Sequence, residues 1–260
     1  MTSVTLCVPA WQSEDTVGRA IESALGQTHG DTRVLISVDE SQDGTAEVCR
    51  RYAGDPRVEL VVHDRRLGWA GNVNFCLGRI ETDAVAMVFH DDWVEPHYCE
   101  VLTGMLEADP ETIAVTGAVA HHGDISRTTF FEDAVGPLYD RLLQFFKRPQ
   151  SRYTLKAMHR AQVFRDGLRL QDDGGAGFQI DVPFSMHVLL QGAFRKTDEV
   201  LYRKRMDASS VSAGWRRLDA DEYFARQVEI RARLVEILAM TPLSDAEKMS
   251  LTAVILSTVN

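Results

Sequence analysis

The sequence predicts an α/β domain, a mixed and mostly parallel sheet sandwiched between helices, with a helical C-terminal extension. Two patterns carry this. Through residue 120, short apolar runs alternate with helix-period segments, as in βαβ units. Beyond it the alternation stops, and residues 220–260 read as two amphipathic helices broken at Thr241-Pro242. Composition agrees: 260 residues, 45% hydrophobic and 25% charged, match an ordinary globular chain and exclude a disordered or collagen-like one.

The elements follow in order. Val4–Pro9 is a compact first strand. Ser13 reads as a helix N-cap, with Glu14 and Asp15 in the first turn, where the helix dipole stabilises acids. Val17, Ala20, Ile21, Ala24 and Leu25 then share one helical face. Val34–Val38 is the second strand, ending at Asp39, and a short helix follows Asp43-Gly44. Val58–Val62 is the third strand. Leu67-Gly68-Trp69-Ala70-Gly71-Asn72 is a glycine-bearing turn into a helix carrying Val73, Leu77 and Ile80. Ala84–Phe89 is the fourth strand and stops at His90-Asp91-Asp92. Pro96 opens another helix, and Ile113–Ala120 is the fifth strand. Phe130, Phe131, Tyr139, Phe145 and Phe146 stud a mixed helical region, either as core or as the floor of a ligand pocket. Then come an acidic glycine-rich loop over Asp172–Gly177, a helix over Phe178–Leu190 stopped by Gly192, and a short strand Glu199–Tyr202. In the C-terminal helices Val228, Leu234 and Leu238 mark an apolar stripe that buries against the body or makes a homodimer.

Lys+Arg 28 against Asp+Glu 38 leaves a net charge of −10, which repels nucleic acid and anionic lipid. A phosphorylated ligand would therefore need locally gathered cations or a metal. Cys7, Cys49, Cys76 and Cys99 form no C-x-x-C pair and read as buried free thiols, not a disulfide framework or zinc site. The N-terminus lacks a signal-peptide pattern, and no run approaches the ~18 apolar residues of a membrane span, so a cytoplasmic chain is expected.

In open α/β sheets ligands sit beyond the carboxyl ends of the strands. Asp39-Glu40, Asp43 and Asp91-Asp92 lie there. Such acids suit a divalent cation that neutralises phosphate, or else they cap the next helix. For Asp43 both readings stand; for the adjacent Asp91 and Asp92 we take the metal reading. The first strand runs into Ala10-Trp11-Gln12-Ser13 in place of G-x-G-x-x-G, and no Walker A loop occurs, which argues against dinucleotide and P-loop folds. His121 and His122 would point to opposite faces of a strand and cannot share an ion.

Val4-Thr5-Leu6-Cys7-Val8-Pro9-Ala10-Trp11, Ala24-Leu25-Gly26-Gln27-Thr28, Asp39-Glu40-Ser41-Gln42-Asp43-Gly44-Thr45 and His90-Asp91-Asp92-Trp93-Val94-Glu95-Pro96 stand in one order. They are followed by Leu201-Tyr202-Arg203-Lys204-Arg205 with Ser209-Ser210-Val211-Ser212. Together they resemble the family 2 glycosyltransferases of GT-A fold. The resemblance implies transfer from a nucleotide-diphosphate sugar, usually inverting, with Mg²⁺ or Mn²⁺. It implies residues 1–215 as the GT-A domain, with a nucleotide-binding half over 1–120 and an acceptor half over 121–215, and residues 216–260 as the extension. It implies Pro9 and Trp11 lining the base pocket and Asp39 recognising a base, for which UDP or dTDP is expected. Asp43, Gly68 and Asn72 join the nucleotide-binding set, Asp91 falls on the metal acid of D-x-D with Asp92 beside it, and Asp181 falls near the catalytic base. The acceptor would be a small molecule or glycan.

Three departures stand out. The D-D-G-S-x-D-G-T stretch is one residue shorter here, Phe89 replaces the first acid of D-x-D, and Arg205 replaces the late His. Arg203 and Arg205 could fork onto phosphate in partial compensation for the missing acid, or the run Arg203-Lys204-Arg205 is a solvated turn. Asp181, followed by Val182-Pro183, could instead be an N-cap, with Asp172 and Asp173 as the next candidates for the base. A nucleotide-sugar-binding protein without transferase activity is the alternative function.

Overall fold

Val4–Ala10 is apolar or neutral at every position, and only a central strand covered on both faces can bury such a run. β1 (Val4–Ala10) is that strand, buried throughout. The computed structural model describes residues 1–147, 154–171, 178–206 and 218–257. β1 runs parallel to β2 (Thr32–Val38) on one side and β4 (Ala84–Met87) on the other, and β3 (Val58–Val62) pairs parallel with β2. The register sets Ala10 opposite Val38, so Trp11 and Asp39 leave the sheet side by side. The helices of this half are α1 (Val17–Leu25), α2 (Thr45–Arg50), α3 (Gly68–Leu77) and α4 (Tyr98–Ala108).

Past β4 the sheet turns mixed. β8 (Met158–Arg160) lies antiparallel between β4 and β6 (Thr112–Gly123). β9 (Ala193–Met206) runs parallel to β6 and antiparallel to the short β5 (Trp93–Val94), and β7 (Arg127–Thr129) pairs with β6. The order is β3-β2-β1-β4-β8-β6-β9-β5. Around this half stand α5 (Leu138–Lys147), a 3₁₀ turn Ala161–Phe164 and α6 (Asp181–Gln191). The C-terminal helices are α7 (Ala220–Ala239) and α8 (Asp245–Ser257).

Two local expectations are corrected. The first helix starts at Val17, with Thr16 at its N-cap and no side-chain cap. The Ser13 N–H is held by Thr45 Oγ1 at 2.7 Å, and its carbonyl accepts from Thr16 N and Val17 N, so the chain makes one more turn before the helix. The last strand is far longer than Glu199–Tyr202. Its partner β6 supplies a ladder from Thr112 to Gly123, and that pairing overrides the low strand preference of the charged residues. Gly117 permits the close approach, since a Cβ there would lie 2.7 Å from Leu201.

Phe131, Phe145 and Phe146 are buried in the core, whereas Phe130 is half exposed. Most of that aromatic cluster is therefore packing. α7 packs on α6 and α8, and α8 packs on α5. Ile230, Leu234, Leu238, Leu251 and Ile255 are buried there, but Val228 remains 48% exposed, off the buried stripe. All four cysteines are free and buried. Among the described residues no helix is long and apolar enough to cross a membrane.

Candidate active site

The features expected to bind a nucleotide meet where β1 and β2 end. Asp39 is 1% exposed. Its Oδ1 accepts from Leu67 N at 2.6 Å and its Oδ2 from Gly68 N at 2.9 Å, which ties β2 to the start of α3. Gly68 has φ +77, a conformation that favours glycine, and this aims its N–H at the acid. Asn72 lies beneath. Its Oδ1 accepts from Ser37 Oγ at 2.5 Å, and its Nδ2 donates to Ser37 O at 3.0 Å and Ala10 O at 3.3 Å. At 3% exposure it clasps β1, β2 and α3 from inside the fold. Pro9 is buried within β1, and Trp11 follows half-buried at the surface. The Arg66 guanidinium lies over Trp11 at 3.4 Å from the ring centroid, with Nε 3.0 Å from Asp39 Oδ2.

Asp43 lies one residue before Gly44, the N-cap of α2, and its carboxylate holds the turn into that helix. Its Oδ1 accepts from Thr45 N at 3.1 Å and Thr45 Oγ1 at 2.6 Å, and its Oδ2 from Glu14 N at 3.1 Å. Glu14 Oε2 returns the contact by accepting from Gly44 N at 2.7 Å. Partial burial pushes the Asp43 carboxyl up, but the bonds from Thr45 and Glu14 outweigh it and hold the group below the usual carboxylate range.

Beyond β4 the two adjacent acids part ways. Asp92 is 1% exposed and buries its charge. Lys156 Nζ pairs with Asp92 Oδ2, the Tyr202 hydroxyl donates to the same oxygen at 2.9 Å, and Arg205 N donates to Oδ1 at 2.9 Å. Phe89 N in turn donates to Tyr202 Oη at 3.2 Å. Burial would raise the Asp92 carboxyl, yet the Lys156 and Lys204 charges outweigh it and hold the group low. Burial lowers Lys156 to about 8, against the pull of Asp92, so the pair is ionised at neutral pH. Its ammonium sits 4.5 Å from the Phe89 ring centroid, a cation–ring contact at the position of the first D-x-D acid. Asp91, by contrast, is half-buried and has no hydrogen-bond or ion-pair partner among the described residues.

The basic run divides by strand alternation. Arg203 pairs through Nε with Glu95 Oε1, and its Nη1 lies 3.1 Å from His122 Nε2. His122 stacks on Trp93 with centroids 5.2 Å apart, while His121 Nε2 meets Thr129 Oγ1 at 2.9 Å, so the two histidines serve different contacts. Lys204 shares the side of Tyr202, and its charge helps to hold Asp92 ionised. Arg205 meets Asp92 through its backbone, with an exposed side chain. Asp181 is the first residue of α6; Ile180 holds the N-cap position and makes no side-chain cap bond. Asp181 O accepts from Ser185 Oγ at 2.5 Å. Asp172, Asp173 and the Ser209-Ser210-Val211-Ser212 stretch lie outside the described residues.

A cleft of about 980 Å³ adjoins the start of α3, bounded by Leu67, Gly71 and Asn74, by Gln171, and by Glu229 and Arg233 of α7. Sequence reasoning missed Arg66, Lys156 and this helical wall. Lys156 had a signal, a single cation within Leu155-Lys156-Ala157-Met158; the wall had none.

The family model for glycosyl transferase family 2 matches residues 5–169. The succinoglycan biosynthesis protein ExoO of Rhizobium meliloti is 36% identical over 112 residues, which are 43% of this chain and 32% of that protein. The putative glycosyltransferase EpsH of Bacillus subtilis is 25% identical over 126 residues, covering 48% of this chain and 36% of its own length. The chain thus spans about a third of the length of these curated relatives. Among solved structures, S. aureus TarS in complex with UDP-GlcNAc superposes with TM-score 0.77 at 16% identity, covering 98% of this chain and 71% of that one. The mannosyltransferase PcManGT from Pyrobaculum calidifontis, in complex with GDP-Man and Mn²⁺, gives 0.61 at 15% identity over 97% and 68%. The expected GT-A architecture is the one observed, and with the family match running from β1 through β8 the chain belongs to glycosyl transferase family 2.

Proposed function

We propose that this protein moves a sugar from a nucleotide-diphosphate donor to an acceptor hydroxyl of a glycan or small molecule, with inversion at the anomeric carbon. The observation that carries the reading is Asp91, an uncommitted carboxylate on a turn locked by the buried Asp92–Lys156–Tyr202 cluster, one strand away from the Trp11–Asp39 end of the sheet. Trp11 and Asp39 take the base. A single free carboxylate fits Mg²⁺ or Mn²⁺, because such ions are commonly held by one or two carboxylates together with substrate phosphates. We place the cation on Asp91 alone, since the oxygens of Asp92 are committed inside the protein. Among the described residues no three metal-binding side chains converge, which suits an ion completed by the donor. When bound, the ion supplies charge neutralisation for the departing diphosphate.

Lys204, on the Asp92 side of β9, adds positive charge there, and Arg203 is held by Glu95. Asp181, at a helix start where the dipole favours negative charge, accepts the proton of the attacking hydroxyl as general base. A cytoplasmic working site follows from the donor class. The rival reading, a binder without transfer, rests on Phe89 occupying the first-acid position beside Trp69, with ring centroids 6.3 Å apart.

One assay separates them. UDP-, dTDP- and GDP-sugars are incubated with the protein and Mn²⁺, and free sugar and nucleoside diphosphate are quantified. Slow release by the wild type is expected, and Asp181→Asn should lower turnover by ~10²–10⁴ with nucleotide binding retained. Release of no sugar from any donor would support the binder instead.

A further inference from the structure

We propose that the Tyr202 hydroxyl is a positioning group for cation binding, because it grips both ends of the turn that presents Asp91. The inference rests on the reading above that Asp91 takes the cation. The turn is Phe89–Asp92, closed by Asp92 N donating to Phe89 O at 2.9 Å, with His90 and Asp91 at its centre. Its entry is tied to β1, where Val88 N donates to Cys7 O at 2.8 Å. Its exit is tied to β9, through the pairs Trp93 with Arg203 and Val94 with Tyr202, and through Glu95 N donating to Leu201 O at 3.0 Å. The turn therefore bridges β1 and β9, which β4, β8 and β6 separate in the sheet.

The groups that reach this turn from the buried side hold different parts of it. Arg205 N donates to Asp92 Oδ1 at 2.9 Å and so holds the exit alone. Lys156 pairs with Asp92 Oδ2 and otherwise meets only the Phe89 ring, a side chain that can turn about its own bonds. The Tyr202 hydroxyl donates to Asp92 Oδ2 at 2.9 Å and accepts from Phe89 N at 3.2 Å. Among the described residues it is the side chain hydrogen-bonded to both ends of the turn. It cannot drift after either end, because Tyr202 is 1% exposed and its backbone is paired with Val94.

Removing that oxygen would leave the Phe89 N–H without its acceptor, and a part-buried peptide in that state turns to find another. His90 and Asp91 would turn with it. Asp92 would keep Lys156 and Arg205 N, so the charge pair survives. The two buried groups thus divide the work: Lys156 balances the charge of Asp92, and Tyr202 sets the direction of the Asp91 carboxylate. Direction matters here, since one protein carboxylate must by itself place an ion whose other oxygens come from the donor.

The test compares wild type, Tyr202→Phe and Tyr98→Phe. Tyr98 is the matched control: it is also buried, its ring centroid lies 6.4 Å from that of Tyr202, and its hydroxyl donates to Lys156 O at 3.2 Å, away from the turn. Mn²⁺ affinity is read by electron paramagnetic resonance in the presence of UDP, or of GDP if UDP does not bind. Affinity for the nucleotide alone is read by calorimetry in EDTA, and folding by melting curves. Tyr202→Phe should weaken Mn²⁺ by roughly tenfold, the lower end for groups that orient a metal ligand. Its affinity for the metal-free nucleotide should stay within about twofold of wild type, as should both affinities in Tyr98→Phe. p-Aminophenylalanine at position 202 keeps a donor for Asp92 but accepts poorly from Phe89 N; it should fall between, and it carries the test if Tyr202→Phe does not fold. Equal Mn²⁺ affinity in Tyr202→Phe and wild type would overturn the inference and leave Asp91 standing as the ligand. So would an equal loss in Tyr98→Phe, or a parallel loss of metal-free nucleotide, since either makes the effect one of general packing. A wild type that binds no Mn²⁺ beside either nucleotide would instead sink the cation reading, and this inference with it.

Discussion

Asp39 and Asp92 sit on opposite sides of the carboxyl edge of the sheet, each 1% exposed, and each is neutralised by different means. Asp39 is held by backbone N–H groups of a neighbouring turn and by the exposed Arg66. Asp92 is held by a buried lysine that reaches it from the turn before β8 and by a buried tyrosine on β9. The first arrangement leaves an exchangeable partner at the surface, as a recognition site requires. The second has none, and one of its charges cannot be removed without stranding the other. Depth of burial alone therefore does not separate the acid proposed to bind a ligand from the one locked inside the fold; the exposure of the partner is where they differ.

The strongest way to break this comparison is Lys156→Met. It leaves Asp92 buried and unpaired, and should destabilise the protein by about 3–5 kcal/mol, read from urea unfolding. The double variant Asp92→Asn with Lys156→Met should recover part of that loss. Full additivity of the two single effects would contradict the pairing.

Acid titration separates the halves next. His159 on β8 is buried against Phe164 and Phe184, and burial lowers it to about 4. Between the ordinary histidine value of 6.5 and about 4 the unfolded chain binds a proton that the folded one does not. Stability is thus complete above pH 6.5 and falls as pH drops through that window, by up to about 3 kcal/mol. His121, likewise lowered to about 4 by burial, adds in the same sense. Asp43, on the Asp39 side, loses its contribution only below the ordinary aspartate value of 3.8. Unfolding curves at pH 7, 5.5 and 4.5 should accordingly converge in His159→Phe relative to wild type; an unchanged slope would place the acid sensitivity elsewhere.

The smallest expected effect is on the recognition side. Asp39→Asn should weaken UDP by roughly 1.5–3 kcal/mol, the range for a hydrogen bond to a charged group. Calorimetry that finds equal affinity would remove Asp39 from base recognition. A loss of fold as large as that of Lys156→Met would erase the distinction between the two acids.

The placement of Asp39 and Trp11 was largely readable from the chain. Asp39 and Trp11 end adjacent parallel strands, and strand periodicity with a strand-end acid suffices to place them. The Asp92 side was only half readable. Adjacent acids after a buried strand look equivalent in sequence, and which of them turns inward depends on where Lys156 and Tyr202 arrive. Arg203 and Lys204 were likewise indistinguishable while the strand was expected to stop at Tyr202; once β9 extends to Met206, alternation sends them to opposite sides.

By itself the sequence determined most elements of residues 1–120 but not β5, the mostly parallel character of their sheet, the family, and the acids at the strand ends. These follow from local periodicity and short-range hydrogen bonding, which operate over a few residues. Tertiary structure alone decided which carboxylate is buried, which cation faces it, and that α7 walls the cleft beside α3. Those outcomes depend on pairings such as β6 with β9, and on contacts such as Lys156 with Asp92, whose partners lie 64 residues apart. No local pattern records such a contact, because its energy arises only when desolvation brings the two charges together.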